Sequence, residues 1–229
     1  MPQNALIVGA GAGISASFAR ALAGEGHRVA LAARRTAKLA PLCAELQATA
    51  HRCDASDPAS VAALFADLDG EGRAPDVVLY NASSRLRGPL VDLEPERVRE
   101  AVLTSAFGAF LVAQEAARRM LPRGSGAIFF TGASASVKGF AGSAPFAMGK
   151  FALRGLAESV ARELQPRGIH VAHFVIDGAV AAEGRTAPAD KPDSLLDPDA
   201  IAQTYLAVLK QPRSAWTSEM AVRPWVETF

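Results

Sequence analysis

The sequence predicts an α/β fold: a doubly wound parallel sheet of about seven strands with helices on both faces. Three features predict it. Short apolar runs alternate with segments of helical period along the whole chain. The runs are apolar throughout rather than at every second residue, so each strand is covered on both sides, as in parallel sheets. A glycine-rich turn follows the first run and opens the first helix. Right-handed crossovers then place any ligand crevice beyond the strand C-termini.

The elements follow in order. "NALIVG" is a strand, and "ISASFARALAGEG" a helix ending at glycine. "RVALAAR" is a second strand, with the helix "TAKLAPLCAELQ" after it. "ATAHRCD" is a third, ending at Asp54. In "DPASVAALFADLDG", Asp57 is placed to cap a helix whose first position is Pro58. "PDVVLYNA" is the fourth strand, a helix runs from about Glu96 to Met120 until Pro122 stops it, and "GAIFFTGA" is the fifth strand. A long helix over about 146–165 precedes the strand "GIHVAHFVI". A polar loop at about 183–198, the helix "DPDAIAQTYLAVLK" and a strand in "TSEMAVR" complete the chain. No repeat or internal linker divides it, so residues 1–229 are expected to form a single domain with a substrate loop at 183–198.

Composition narrows the function. Half of the 229 residues are hydrophobic and 21% are charged, with a net charge of +1. Acids and bases are interspersed, so neither a nucleic-acid nor a membrane partner is expected. "MPQN" puts no basic region before the first apolar stretch, which argues against a signal peptide, and Cys43 and Cys53 lack metal spacing; a cytoplasmic protein is expected. His27, His51, His170 and His173 are scattered. The last two, three apart in a strand, point to opposite faces, and no metal site is expected.

The strand ends carry the chemistry. In "GAGAGIS", glycines let the backbone approach a pyrophosphate while the helix N-terminus offers free N–H groups. The stretch satisfies G-x-G-x-x-A through Gly11, Gly13 and Ala16. Through Gly9 and Gly13 it also follows G-x-x-x-G-x-G, with Ser15 in place of the third glycine. The second strand ends in Ala33, Arg34 and Arg35, where an acidic residue would receive an adenosine ribose. Two guanidiniums suit a 2′-phosphate, so NADP(H) is preferred over NAD(H); the bland reading is a solvated charge pair. Asp54 is positioned to accept from an adenine amino group, and Asn81 either holds the cofactor through its amide or serves as a turn residue.

With these motifs in this order, the chain resembles the short-chain dehydrogenase/reductase family over nearly its whole length: the second glycine template, Asp54, "NAS" at 81–83 in place of Asn-Ala-Gly, and Lys150. The resemblance implies the Rossmann fold, hydride transfer between a nicotinamide and a carbonyl/alcohol carbon, and a small-molecule substrate. It also implies cofactor contacts at Gly9, Gly13, Ile14, Asp54, Asn81, Lys150, Gly178 and Val180, the Lys150 ammonium holding the nicotinamide ribose. A homo-oligomer, dimer or tetramer, is implied too, since the two long helices carry apolar residues on more than one face.

The family's proton-transfer positions depart from its pattern. Phe146 stands at the tyrosine position four residues before Lys150, Ala133 at the serine position, and Ser105 at that of a helix asparagine. Asp177-Gly178 replaces Pro-Gly. Catalysis is therefore assigned to Lys150, with Ser134 and Ser105 as weaker candidates. Ser134 is one residue past the serine position, and Ser143 lies three before Phe146; neither has an evident base except Lys150. Two readings compete, an NADP(H)-dependent oxidoreductase with a rearranged proton donor (Lys150, Ser134 or water) and a non-catalytic NADP(H)-binding sensor or scaffold. A structural subunit without cofactor fits poorly with the intact phosphate turn, and the substrate is not readable.

Overall fold

In the computed structural model, which describes residues 3–226, the apolar runs become strands and the periodic segments helices. The first half of the chain runs β1 (Asn4–Val8), α1 (Ile14–Gly24), β2 (Arg28–Ala33), α2 (Ala40–Leu46), β3 (Thr49–Arg52), α3 (Pro58–Gly70) and β4 (Val77–Tyr80). Then come α4 (Pro95–Val102), α5 (Gly108–Met120), β5 (Gly126–Thr131), α6 (Ala144–Leu164) and β6 (Ile169–Ile176). The short strands β7 (Ala179–Val180) and β8 (Leu195–Leu196), helix α7 (Pro198–Leu209) and β9 (Glu219–Val222) follow.

Seven strands pair in parallel in the order β3-β2-β1-β4-β5-β6-β9. The chain moves outward from β1 to β3, then crosses back to β4 on the other side. The crevice between the C-terminal ends of β1 and β4 is thus the switch point where doubly wound sheets bind ligands. One face of the sheet packs α3, α5 and α6 through residues such as Leu64, Val112 and Leu153. The opposite face packs α1, α2 and α7 through Phe18, Leu42 and Tyr205. Asp57 caps α3 as its position predicts, accepting from the Ala59 N–H at 3.0 Å.

Three boundaries differ from the sequence reading. The helix expected at "TAKLAPLCAELQ" divides into a 3₁₀ turn over Thr36–Leu39 and α2. The helix expected over 96–120 starts at Pro95 and is interrupted by a π turn over Leu103–Phe107. There Ser105 is fully buried against Gly149 of α6, where a Cβ would sit 2.7 Å from the Ser105 Cβ. Only glycine permits that approach, and the widened turn is what carries Ser105 to it, a contact that hydrophobic periodicity does not encode. Finally, the loop expected over 183–198 ends earlier, because β8 pairs in parallel with β7. Among the described residues no helix is long and apolar enough to cross a membrane, and no cluster of metal-ligating side chains occurs.

Candidate active site

At the switch point lies a cleft of about 510 Å³, lined among others by Gly9, Gly11, Arg34, Arg35, Asp54 and Asn81. Gly9 and Gly13 both have φ of 82°. This left-handed geometry, which side chains rarely adopt, turns the chain from β1 into α1. Asn81 fixes that turn: its Nδ2 donates to Ser15 Oγ at 2.8 Å, and Ser15 Oγ donates to the Gly9 carbonyl at 3.3 Å. At Gly11 and Gly13 a Cβ would meet nothing within 4 Å, so the backbone there faces open space. The N-terminus of α1 has no side-chain cap, and its N–H groups remain available for an anion.

The far end of the cleft is basic. Arg34 and Arg35 are exposed, and Lys38, which the sequence reading passed over, joins them in the lining. Asp54 accepts at Oδ1 from the Ser56 hydroxyl at 2.7 Å and from the Ser56 N–H at 3.0 Å. The Ser56 hydroxyl bond foremost, with the Ser56 N–H and the Arg34 charge, outweighs burial and holds the Asp54 carboxyl below the usual carboxylate range.

Beyond the ends of β5 and β6 lies a second group of residues. Lys150 is 3% exposed, and its Nζ donates to the Thr131 carbonyl at 2.7 Å. Burial, and after it the charge of Arg85, lowers the Lys150 ammonium to about 7. Its Nζ lies 5.9 Å from the centroid of the Phe146 ring, and the Arg85 guanidinium lies 5.2 Å from the same centroid. Phe146, Ala133 and Ala135 form a small buried apolar cluster.

A buried polar chain holds the loop after β5. Glu219 accepts from His173 Nδ1 at 2.9 Å, which leaves the His173 Nε2 lone pair to the Ser136 hydroxyl at 3.4 Å. Ser136 Oγ in turn accepts from the Ala133 N–H at 3.1 Å. Burial lowers the His173 pKa against the pull of Glu219, which favours the neutral ring with its Nδ1 proton toward the carboxylate. Arg154 clamps Glu219 through two bonds of 2.8 Å.

The sequence contains two tyrosines, and both are bonded elsewhere. The Tyr80 hydroxyl donates to the Thr104 carbonyl, while Tyr205, on the opposite face of the sheet, pairs with Thr131 Oγ1 at 3.1 Å. Burial raises the pKa of both. Ser134 is half-buried and makes no side-chain hydrogen bond among the described residues; Ser105 Oγ accepts from the Ser84 N–H at 3.3 Å. Ser143, at the start of α6, is buried.

Thus Gly9, Arg34, Arg35, Asp54 and Asn81 converge on one cleft, while Lys150, Phe146, Ala133 and Ser134 gather beyond β5. Gly13, Ile14, Gly178 and Val180 are outside the cleft lining. Gly178 packs toward Pro224, and the Val180 carbonyl accepts from Arg185 Nη1 at 3.1 Å. Arg85 went unread because "SSRLRG" looks like solvated charge in a loop; its one signal was two arginines without a neighbouring acid, just after Asn81.

The family model described as short chain dehydrogenase matches residues 3–189. The chain belongs to that family. A short-chain dehydrogenase from Rhodopseudomonas palustris superposes with a TM-score of 0.84 at 35% identity, over 96% of this chain and 98% of that one. A metagenomic short-chain oxidoreductase in complex with NADP gives 0.85 at 29% identity, over 98% of both chains. The 3-oxoacyl-[acyl-carrier-protein] reductase MabA of Mycobacterium avium is 29% identical over 79% of this chain and 68% of its own length. These relatives carry the names of a dehydrogenase, an oxidoreductase and a reductase, and the oxidoreductase is bound to NADP.

Proposed function

We propose that this short-chain dehydrogenase is an NADP(H)-dependent oxidoreductase acting between a carbonyl and an alcohol, with Lys150 as its proton donor. The observation that carries the reading is a buried ammonium brought to about 7 beside a ring with no exchangeable proton. A general acid works best when its pKa lies near the operating pH.

The cleft fits the cofactor: open space at Gly11 and Gly13, an uncapped helix N-terminus and a basic far rim match a pyrophosphate and a 2′-phosphate. Gly9, Gly13 and Ile14 would hold the pyrophosphate, Arg34, Arg35 and Lys38 the 2′-phosphate, and Asp54 the adenine. Asn81, Lys150, Gly178 and Val180 would serve the nicotinamide half. When bound, the nicotinamide supplies or accepts the hydride. Lys150 has three N–H groups; one goes to Thr131, which leaves two for a ribose hydroxyl and the substrate oxygen. Lys150 is 3% exposed, with the Phe146 ring centroid 5.9 Å from its ammonium. Ser134, without a basic partner, is the weaker donor.

The apolar packing of Ala133 and Phe146, at the positions where the resemblance implies hydroxyls, also favours the second reading, a non-catalytic NADP(H) sensor or scaffold. An NADPH-consumption assay across ketones and aldehydes separates the two. Turnover that Lys150→Met abolishes supports the enzyme. NADPH binding without turnover of any substrate supports the sensor.

A further inference from the structure

The segment after β4, "NASSRLRGP", carries Arg85 and Arg87 two residues apart. It is pinned on either side of them: the Ser84 N–H donates to Ser105 Oγ at 3.3 Å, and the Gly88 N–H donates to the Gly142 carbonyl at 3.0 Å. Arg85 therefore stands over the Phe146 ring at 5.2 Å, with Lys150 near the same ring. Arg185 lies in the loop after β7, its Nη1 donating to the Val180 carbonyl at 3.1 Å. Arg85 is an exposed residue, yet partial desolvation of its guanidinium first, then the charges of Arg87 and Arg185, disfavour its charged form. Each of these causes acts against the cation, and among the described residues no acid offsets them.

Several arginines of this protein are held by acids. Arg20, Arg119, Arg154 and Arg223 each face a carboxylate within 3.4 Å. Arg85, Arg87 and Arg185 have no such partner among the described residues. The Phe146 face supplies only a partial substitute, since a cation over a ring gains less than a guanidinium bound to a carboxylate. Phe146 thus has a use as a platform for Arg85. The three arginines also lie outside the lining of the 510 Å³ cleft, whose own basic rim is Arg34, Arg35 and Lys38.

We infer that the site takes a carbonyl or alcohol substrate that carries an anionic group, a carboxylate or phosphate monoester, held by Arg85 and Arg87 with Arg185 closing from the loop. The inference rests on the oxidoreductase reading for the carbonyl and on the arginine geometry alone for the anion.

Calorimetric titration tests it on the full chain saturated with NADP⁺, which cannot reduce a ketone. Acetoacetate, levulinate and dihydroxyacetone phosphate are compared with methyl acetoacetate, methyl levulinate and dihydroxyacetone. An anion should bind about tenfold or more tightly than its neutral counterpart. Arg85→Gln and Arg87→Gln should each erode that preference, and Arg185→Gln weaken it. All three side chains belong to exposed residues, so an unchanged Tm confirms that the variants fold. Preference for the two keto acids assigns a carboxylate, and preference for the phosphate alone assigns a phosphate ester. Neutral compounds binding as tightly as the anions, absence of binding by either, or a preference that survives the Arg85→Gln/Arg87→Gln double variant would overturn the inference. If NADP⁺ itself gives no heat, the cofactor reading fails separately. The same titrations on the chain alone then decide the anion question by the same criteria.

Discussion

Replacing Lys150 with methionine removes a cation that the fold holds at 3% exposure while keeping an unbranched side chain of similar length. The ammonium falls from 10.5 to about 7, with burial the main cause and Arg85 the second. At 1.36 kcal/mol per pKa unit, keeping that charge costs the folded state about 5 kcal/mol below pH 7. The variant also leaves the Thr131 carbonyl without its partner, a loss of about 1–3 kcal/mol. The variant should therefore be more stable than the wild type by about 2–4 kcal/mol at pH 6.5.

The sign with pH follows from proton binding. Between the two pKa values the unfolded chain holds the proton and the folded chain does not, so wild-type stability rises with pH across that window. The cost should shrink to about 1 kcal/mol by pH 9.5, which erases the variant's advantage. Urea unfolding from pH 6.5 to 9.5, followed by Trp216 and Trp225 fluorescence, measures the difference. The shifts of His27, His170, Tyr80 and Tyr205 do not involve Lys150 and cancel, whereas the Lys150 charge helps lower His173, so the variant relieves that ring as well. Parallel pH profiles, or a methionine variant that is the less stable at pH 6.5, would show that Lys150 is not held against its charge.

Arg34→Ala should weaken NADPH binding about tenfold or more and leave NADH unchanged, as read by cofactor fluorescence; equal losses refute the 2′-phosphate role. Phe146→Tyr with Ala133→Ser should raise carbonyl reduction by NADPH by about 10²-fold or more, because a phenol beside Lys150 and a hydroxyl to polarise the carbonyl act together. A fall in rate would refute it. Ser136→Ala strands the Ala133 N–H and His173 Nε2 and should cost about 1–3 kcal/mol in thermal unfolding, with an unchanged Tm as the contrary result. Phe107, Phe110, Met148 and Phe151 are exposed on or beside α5 and α6, with the Phe107 and Phe110 rings stacked at 6.1 Å. We expect a dimer or tetramer by light scattering that Phe151→Glu breaks into smaller species; a monomeric parent protein would sink this.

The sheet was legible in the sequence because its rules are local. A run such as "ALIV" must be covered on both faces, Asp57-Pro58 must open a helix, and glycines at positions 9 and 13 must turn the chain between strand and helix. The same locality exposed Arg34, Arg35, Asp54 and Asn81, since strand ends in a parallel sheet converge on one edge. The turn-fixing bond from Asn81 to Ser15 spans 66 positions and could not be read there.

What the sequence by itself determined, then, is a doubly wound sheet with a phosphate-binding turn and a lysine four residues after a phenylalanine. Only the tertiary structure decided what that pair does. The depth of Lys150 depends on α6 packing beside β5, and its charge is opposed by Arg85, 65 positions away in sequence. The π turn at Leu103–Phe107 sets Ser105 against Gly149, far along the chain, and the arginines without acids are recognisable only once the acids of the described residues are placed. Desolvation and charge coupling are set by the surroundings in space, and neither is a property of any short stretch of chain.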